Sequence, residues 1–151
     1  MCRLRRTKKV DNRELEFNRI CSFKNISPKI ISIEPCKDGY NMTTLKYDNL
    51  DNYVDEEENL HKDFVEKYRK QIVDIIKKLH KCGIYHGDIH YGNFVIDKIN
   101  NKIYLIDFGN SKYINEMLRE DEFDRYCENP DMYTPLKDEE KCVIKWLDER
   151  H

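Results

Sequence analysis

The sequence has 151 residues, which fits one domain of ordinary size with a core of limited volume. Charged residues make up 37% and the net charge is −2, so no bulk field attracts nucleic acid or an anionic membrane. No apolar run approaches about 18 residues, which predicts that no segment spans a membrane. Six cysteines without C-x-x-C or zinc-ligand spacing indicate inert free thiols in a reducing compartment, so we expect a cytoplasmic protein.

The front of the chain is predicted to hold one helix and two strands. The basic residues 3–9 are interpreted as a solvated terminus. A capping box then predicts a helix over residues 12–23. Residues 29–34 and 40–47 are rich in β-branched residues and predict an antiparallel pair of strands. The polar residues 48–52 mark the boundary with a larger back part.

The back part is organised by a long amphipathic helix, predicted over residues 57–81. A hairpin is predicted over residues 94–106, a helix within 113–126, and a last helix over 135–149. His61, His80 and His151 are interpreted as surface or terminal residues. The residues expected to be buried here are Leu60, Phe64, Val65, Tyr68, Ile72, Ile75, Ile76, Leu79, Ile114, Met117, Leu118, Leu136, Val143, Trp146 and Leu147.

Three polar residues flank the predicted hairpin. Asp88 lies in a tight loop between a helix and a strand, Asn93 begins the strand, and Asp107 follows the second strand. Because a hairpin brings the ends of its strands together, these three side chains are expected to converge. Two carboxylates and an amide oxygen form the hard ligand set that Mg²⁺ prefers, commonly completed by phosphate oxygens.

These residues also follow a known motif. His86-x-Asp88, with Asn93 five residues later and then Asp107-Phe108-Gly109, resembles the catalytic and magnesium loops of the protein kinase-like superfamily. The His-Gly-Asp wording, with a second histidine at His90, is similar to that of aminoglycoside and choline phosphotransferases and of small atypical protein kinases.

The resemblance implies an α+β fold, a truncated version of the protein kinase-like fold. Residues 1–48 would be a remnant of the N-terminal lobe, with a small antiparallel sheet and one helix. Residues 49–151 would be a reduced, mainly helical C-terminal lobe that carries the catalytic-loop hairpin.

The resemblance also implies roles for individual residues, with ATP and Mg²⁺ as cofactors. Asp88 would orient the acceptor hydroxyl and take its proton. Asn93 and Asp107 would hold Mg²⁺ against the nucleotide phosphates. His90 would lie near the transferred phosphoryl group.

The N-terminal part departs from the family pattern. Glu16 falls where the front helix of the family carries an ion-pairing glutamate, and Glu14 is its rival. No glycine precedes Gly39, so no Gly-rich loop is predicted. Lys8 and Lys9 lie too close to Glu16 for the usual strand, so the phosphate-binding lysine is expected to be missing or replaced.

Several functions stay open at this point. The intact Asp and Asn residues favour a minimal, active Ser/Thr protein kinase. The alternatives are a weak or inactive pseudokinase that acts as a protein-interaction module, a small-molecule kinase of the aminoglycoside-phosphotransferase type, and a fragment whose front strands lie elsewhere. A protein substrate or partner is favoured over a small molecule, nucleic acid and membrane are not expected as partners, and the oligomeric state is open.

Overall fold

The computed structural model of the chain describes residues 4–56, 60–130 and 133–148, apart from the side chain of Trp146. It is a mixed structure of helices and antiparallel sheets, as predicted. The front part is a three-stranded antiparallel sheet in the order β1–β3–β2, covered by one helix. Its elements are β1 (Arg5–Val10), α1 (Asn12–Phe23), β2 (Ile30–Cys36) and β3 (Gly39–Leu45).

The first strand corrects the interpretation of residues 3–9 as a solvated terminus. β1 pairs with β3 along its whole length, from Arg5 opposite Leu45 to Val10 opposite Tyr40. Only Val10 is fully buried, and the other side chains alternate between exposed and half-buried. Charged side chains are tolerated there because β1 lies at the edge of the sheet, where they also discourage pairing with other chains.

The predicted helix and strand pair at the front are confirmed. The Asp11 carboxylate caps α1 by accepting a hydrogen bond from the Glu14 amide at 2.8 Å. The buried face of α1 carries Leu15, Phe17 and Cys21. α1 therefore has a fixed start, and only Asp11 separates it from the end of β1.

The back part is built on α2 (Lys62–Lys81) and on a sheet in the order β4–β6–β7. The predicted hairpin is confirmed as β6 (Phe94–Asp97) and β7 (Lys102–Leu105), and β4 (Asp48–Asn49) pairs with β6. α2 begins later than predicted. Leu60 forms an antiparallel β-bridge with Val54, and His61 is the N-cap residue of the helix. Phe64 and Tyr68 of α2 are buried, as expected.

The last third of the chain differs more from expectation. The helix expected within 113–126 is confirmed, but it is divided, because the chain there forms a short strand and two helices. β8 (Lys112–Tyr113) pairs with β5 (Ile84–Tyr85), and α3 (Ile114–Met117) and α4 (Glu120–Glu128) follow. Ile114 is buried, whereas Met117 and Leu118 are only half-buried.

The last predicted helix is confirmed as α5 (Thr134–Asp148), which packs against α2. Leu136, Val143 and Leu147 are buried as expected. The Trp146 side chain and His151 lie outside the described residues. Among the helices the structure describes, none is long and apolar enough to cross a bilayer. The division at residue 48 stays a prediction.

Candidate active site

The loop that follows β5 is held in place by His86, whose side chain is completely buried. Its Nδ1 atom accepts a hydrogen bond from the Asp88 amide at 3.1 Å, so Nε2 carries the proton and donates to the Ile106 carbonyl at 2.9 Å. Burial lowers the pKa of His86, and the hydrogen bond to Ile106 only partly opposes this. A neutral His86 therefore ties the Asp88 loop to the end of the hairpin.

A carboxylate from α5 also supports this loop. Glu139 accepts hydrogen bonds from the His86 amide at 3.2 Å, the Gly87 amide at 2.8 Å and His80 Nε2 at 2.7 Å. The interpretation of His80 as a surface residue is therefore wrong: both His80 and Glu139 are buried, and the bond between them pairs His80 Nε2 with the carboxylate. Sequence analysis missed Glu139, although a signal was present, since it lies on the apolar face of the last helix between Leu136 and Val143.

The backbone of this loop requires a glycine at position 87. Its φ angle is +87°, and a Cβ atom placed there would lie 2.4 Å from the Asn110 carbonyl oxygen. Only glycine fits both the left-handed conformation and this close approach. The glycine of the His-Gly-Asp motif is therefore explained by the close packing of the loop against Asn110.

Asp88 and Asn93 are brought together, as the sequence predicts. The side-chain nitrogen of Asn93, Nδ2, donates to the Asp88 backbone carbonyl at 2.6 Å and to the Asp88 carboxylate at 3.2 Å. The Asp88 side chain is 44% exposed, so an acceptor group can approach it. His90 lies beside it, with Nε2 3.6 Å from the carboxylate, while its Nδ1 accepts from the Gly92 amide at 3.0 Å.

Asp107 lies at the same end of the hairpin, because the preceding Ile106 amide donates to the Asn93 carbonyl at 2.8 Å. Its φ angle is +70°, a left-handed conformation that is uncommon for a residue other than glycine. Such a conformation costs on the order of 1–3 kcal/mol and is concentrated at functional sites.

The expectation that no lysine reaches this site is wrong. Lys8, in the middle of β1, forms ion pairs with both Glu14 of α1 and Asp107. The short connection after Val10 makes this possible, since α1 turns back over the strand at once. A strand, a helix and the end of the hairpin therefore meet at one ammonium group.

The ion pairs change the titration of both partners. Partial burial acts to raise the pKa of Asp107, but the Lys8 hydrogen bond and the charges of Lys8 and Arg6 outweigh it, so the pKa lies below its usual range. Burial likewise acts to lower the pKa of Lys8, and its bonds to Asp107 and Glu14 raise the pKa above the usual range. Both groups are charged at neutral pH.

The structure places Glu16 away from Lys8. Its carboxylate accepts a hydrogen bond from the Tyr113 hydroxyl, and burial together with this contact raises the pKa of Tyr113 to about 12. Arg13, on the same helix, forms an ion pair with Glu116. Glu14, the rival candidate, is thus the residue in the ion-pair position, and Glu16 and Arg13 tie α1 to the segment after Gly109.

A cleft separates the front sheet from the hairpin. Its outer cavity, of about 190 Å³, is lined by Arg6, Thr44, Tyr47, Val95, Ile106 and Asp107, among others. Its inner end, around Lys8, Glu14 and Asp107, is almost closed, with about 10 Å³ of free volume. A wider concavity of about 700 Å³ lies beside the Asp88 loop and is lined by residues that include Arg13, Gly87, Ser111 and Glu116.

The comparisons with known proteins define the class of protein. A family model described as "Protein kinase domain" matches residues 2–135, which is most of the chain. The chain therefore belongs to the protein kinase domain family. A solved structure, the PK-1 kinase of Cydia pomonella granulovirus, has a similar fold: the TM-score is 0.57 at 18% identity, over 75% of this chain and 47% of that one.

Particular relatives carry kinase names. The chain is 36% identical over 61 residues to the probable serine/threonine-protein kinase FPV212 of fowlpox virus, covering 40% of this chain and 20% of that protein. It is 31% identical over 87 residues to the human hormonally up-regulated neu tumor-associated kinase, covering 58% of this chain and 12% of that protein. The chain thus spans a fifth or less of the length of these two relatives.

Proposed function

We propose that this chain is an ATP- and Mg²⁺-dependent phosphotransferase, a minimal atypical Ser/Thr protein kinase. The observation that carries the proposal is the contact of Lys8 with both Glu14 and Asp107, next to the Asp88–Asn93 pair. Charged groups from a strand, a helix and the end of the hairpin meet in the cleft at the cost of partial burial and a strained Asp107, and the Asp88–Asn93 pair lies at the same end of the hairpin. A kinase site gives each of these groups a use.

The residues present fit a magnesium ion. Asp107 offers a half-exposed carboxylate, and because the amide nitrogen of Asn93 is used by Asp88, its carboxamide oxygen is left for a cation. These are hard oxygen donors of the kind Mg²⁺ selects together with phosphate oxygens. The ion would neutralise charge on the phosphates, while Lys8 would bind a phosphate oxygen directly.

Nucleotide binding requires a change at the inner end of the cleft. Lys8 and Asp107 now neutralise each other across about 10 Å³ of free volume. A phosphate–metal group would separate them, since Lys8 would exchange a carboxylate for a phosphate oxygen and Asp107 would exchange an ammonium for the metal. Each charge keeps an opposite charge beside it, so the exchange leaves neither group buried and unpaired.

Asp88 is the proposed base. Its carboxylate is exposed enough to meet an acceptor hydroxyl, and Asn93 and the His86 bridge fix its orientation. It would accept a hydrogen bond from the hydroxyl and take its proton as the oxygen attacks the γ-phosphorus, while the bond from that phosphorus to the β-phosphate oxygen breaks and ADP leaves. His90, 3.6 Å away, would lie near the transferred group.

A protein hydroxyl is the proposed acceptor. The wide concavity beside Gly87 and Ser111 opens next to the Asp88 loop and offers room for a peptide chain. The His-Gly-Asp motif does not favour a small-molecule acceptor over a protein, because the contact with Asn110 already requires the glycine. The serine/threonine-protein kinase name of the fowlpox relative agrees with a protein acceptor. A cytoplasmic location stays a prediction.

Transfer of the labelled γ-phosphate from ATP tests the proposal. We expect the chain, with Mg²⁺, to label a mixture of protein substrates, and Asp88→Asn to reduce transfer by at least 100-fold, the usual contribution of a general base. ATP affinity should be unchanged in this variant. Transfer that persists in Asp88→Asn would show that another group is the base.

The closed inner cleft favours one alternative, a protein-interaction module without catalysis. In that case the Lys8–Asp107 pair would be a permanent structural contact. The same assay separates the two functions, since the module would give no transfer to any acceptor. Transfer to a small-molecule alcohol but to no protein would instead indicate the aminoglycoside-phosphotransferase type.

A further inference from the structure

A second cation lines the cleft two residues before Lys8. We propose that Arg6 binds the phosphates of the nucleotide alongside Lys8, an inference that rests on the proposed function. Two N–H groups of its planar guanidinium would donate hydrogen bonds to oxygen atoms of the polyphosphate.

The position of Arg6 follows from the strand. Residues i and i+2 of a strand point to the same face, so Arg6 and Lys8 share one side of β1. Both are half-buried, while their neighbours Arg5, Thr7 and Lys9 are exposed. Arg6 borders both the outer cavity and the inner end of the cleft, and Asp107 borders both with it. Its side chain therefore spans the region between the two.

Arg6 shares the cleft with Lys8 and with Lys46, which is exposed and lines the outer cavity but not the inner end. Lys8 is already neutralised by two carboxylates, those of Glu14 and Asp107. In residues 4–56, 60–130 and 133–148, Arg6 has neither an ion-pair nor a hydrogen-bond partner. A half-buried guanidinium without an ion-pair partner can bind an anionic ligand without first giving up another anion.

The phosphates are a better partner for Arg6 than the base. A triphosphate carries the negative charge that Arg6 and Lys8, on one face of β1, can pair with, whereas the adenine base carries none. Arg6 lines the inner end of the cleft together with Lys8 and Asp107, which is where the metal and phosphates would bind.

Titration of Mg-ATP and of adenosine into the whole chain tests the inference. We expect Arg6→Ala to weaken Mg-ATP binding by about 10- to 100-fold, the effect of a lost charged hydrogen bond, and to leave adenosine affinity within about twofold. Arg5→Ala is the matched control, because it removes the same charge from the exposed face of the same strand and should change neither affinity. Arg6→Lys, which keeps the charge but loses the fork, should fall between wild type and Arg6→Ala.

Each other outcome overturns the inference. Equal losses for ATP and adenosine would mean that Arg6 covers the base, and unchanged ATP affinity would mean that it points away from the ligand. Equal losses in Arg5→Ala and Arg6→Ala would indicate only a general effect of charge. If Arg6→Ala melts early, the comparison of ATP with adenosine in Arg6→Lys decides. Absence of ATP binding in the wild type would refute the proposed function together with the inference, whereas the other outcomes leave that function intact.

Discussion

At the scale of single residues, the site depends on two positions with left-handed backbone. Asp107 has a φ angle of +70° and Gly87 one of +87°. The strain at Asp107 turns its carboxylate toward Lys8, and Gly87 lets the Asp88 loop pass close to Asn110. Both positions are fixed by neighbours from other elements, which is how a strained conformation persists.

Gly87→Ala should destabilise the fold more than the same change at Gly83. Both glycines have positive φ, but a Cβ atom at Gly83 would meet nothing within 4 Å, whereas at Gly87 it would lie 2.4 Å from the Asn110 carbonyl oxygen. We expect a loss of about 1–2 kcal/mol for Gly83→Ala from the backbone alone. The clash should add about 1–3 kcal/mol for Gly87→Ala.

Urea unfolding followed by circular dichroism measures this difference directly. Gly83→Ala serves as the control for the cost of the left-handed conformation. Equal losses for the two variants would show that the contact with Asn110 does not constrain the loop.

At the scale of secondary-structure elements, α1 connects three parts of the site. Glu14 reaches Lys8 on β1, and Glu16 and Arg13 reach Tyr113 and Glu116 beyond Gly109. Tyr113 also packs against Phe17, with ring centroids 4.7 Å apart. The helix is thus held on the site by side chains present in the chain itself.

Glu14→Gln and Glu16→Gln should have different effects on nucleotide binding. Glu14→Gln removes the charge that holds Lys8, so we expect Mg-ATP affinity to fall by about 10-fold. Glu16→Gln changes the same chemical group two residues away on the face that contacts Tyr113, and we expect little change in affinity. Calorimetric titration measures both, and a larger loss in Glu16→Gln would restore Glu16 to the ion-pair position.

The sequence predicted the elements whose patterns are local. α1 was recognised by its capping residues, and the hairpin by two β-rich runs around a polar turn. β1 was not recognised, because a charged edge strand has no apolar alternation, and its partner β3 lies about 35 residues later in the chain. Missing the strand also meant missing Lys8, since its contacts with Glu14 and Asp107 depend on a pairing that no local pattern predicts.

At the scale of the whole molecule, the site rests on two packed helices. α2 delivers the chain into the Asp88 loop, and α5 packs on α2 and holds the loop through Glu139. This support was not predicted, because α5 is separated from the loop by about 50 residues. His80 at the end of α2 completes the network with a hydrogen bond to the same carboxylate.

Glu139→Ala should therefore destabilise the whole chain. It would leave His80 and two backbone amides without an acceptor in a buried place, and losing one partner of a buried charged network costs about 3–5 kcal/mol. Asp138→Ala, a change on the exposed side of the same helix, should cost less than about 0.5 kcal/mol. Thermal unfolding measures both, and similar melting temperatures for the two variants would show that Glu139 is not a structural support.

Magnesium-dependent binding of ATP is the most direct test of the proposed function, measured by calorimetry on wild type and Asp107→Asn. Asparagine tolerates the left-handed conformation that residue 107 needs, so this variant removes the charge and keeps the backbone. We predict that the wild type binds ATP with Mg²⁺, more weakly when the metal is chelated, and that Asp107→Asn loses the magnesium-dependent part. A folded wild-type chain that binds no Mg-ATP, or an Asp107→Asn variant that binds it equally well, would contradict the assignment of this cleft as a nucleotide site.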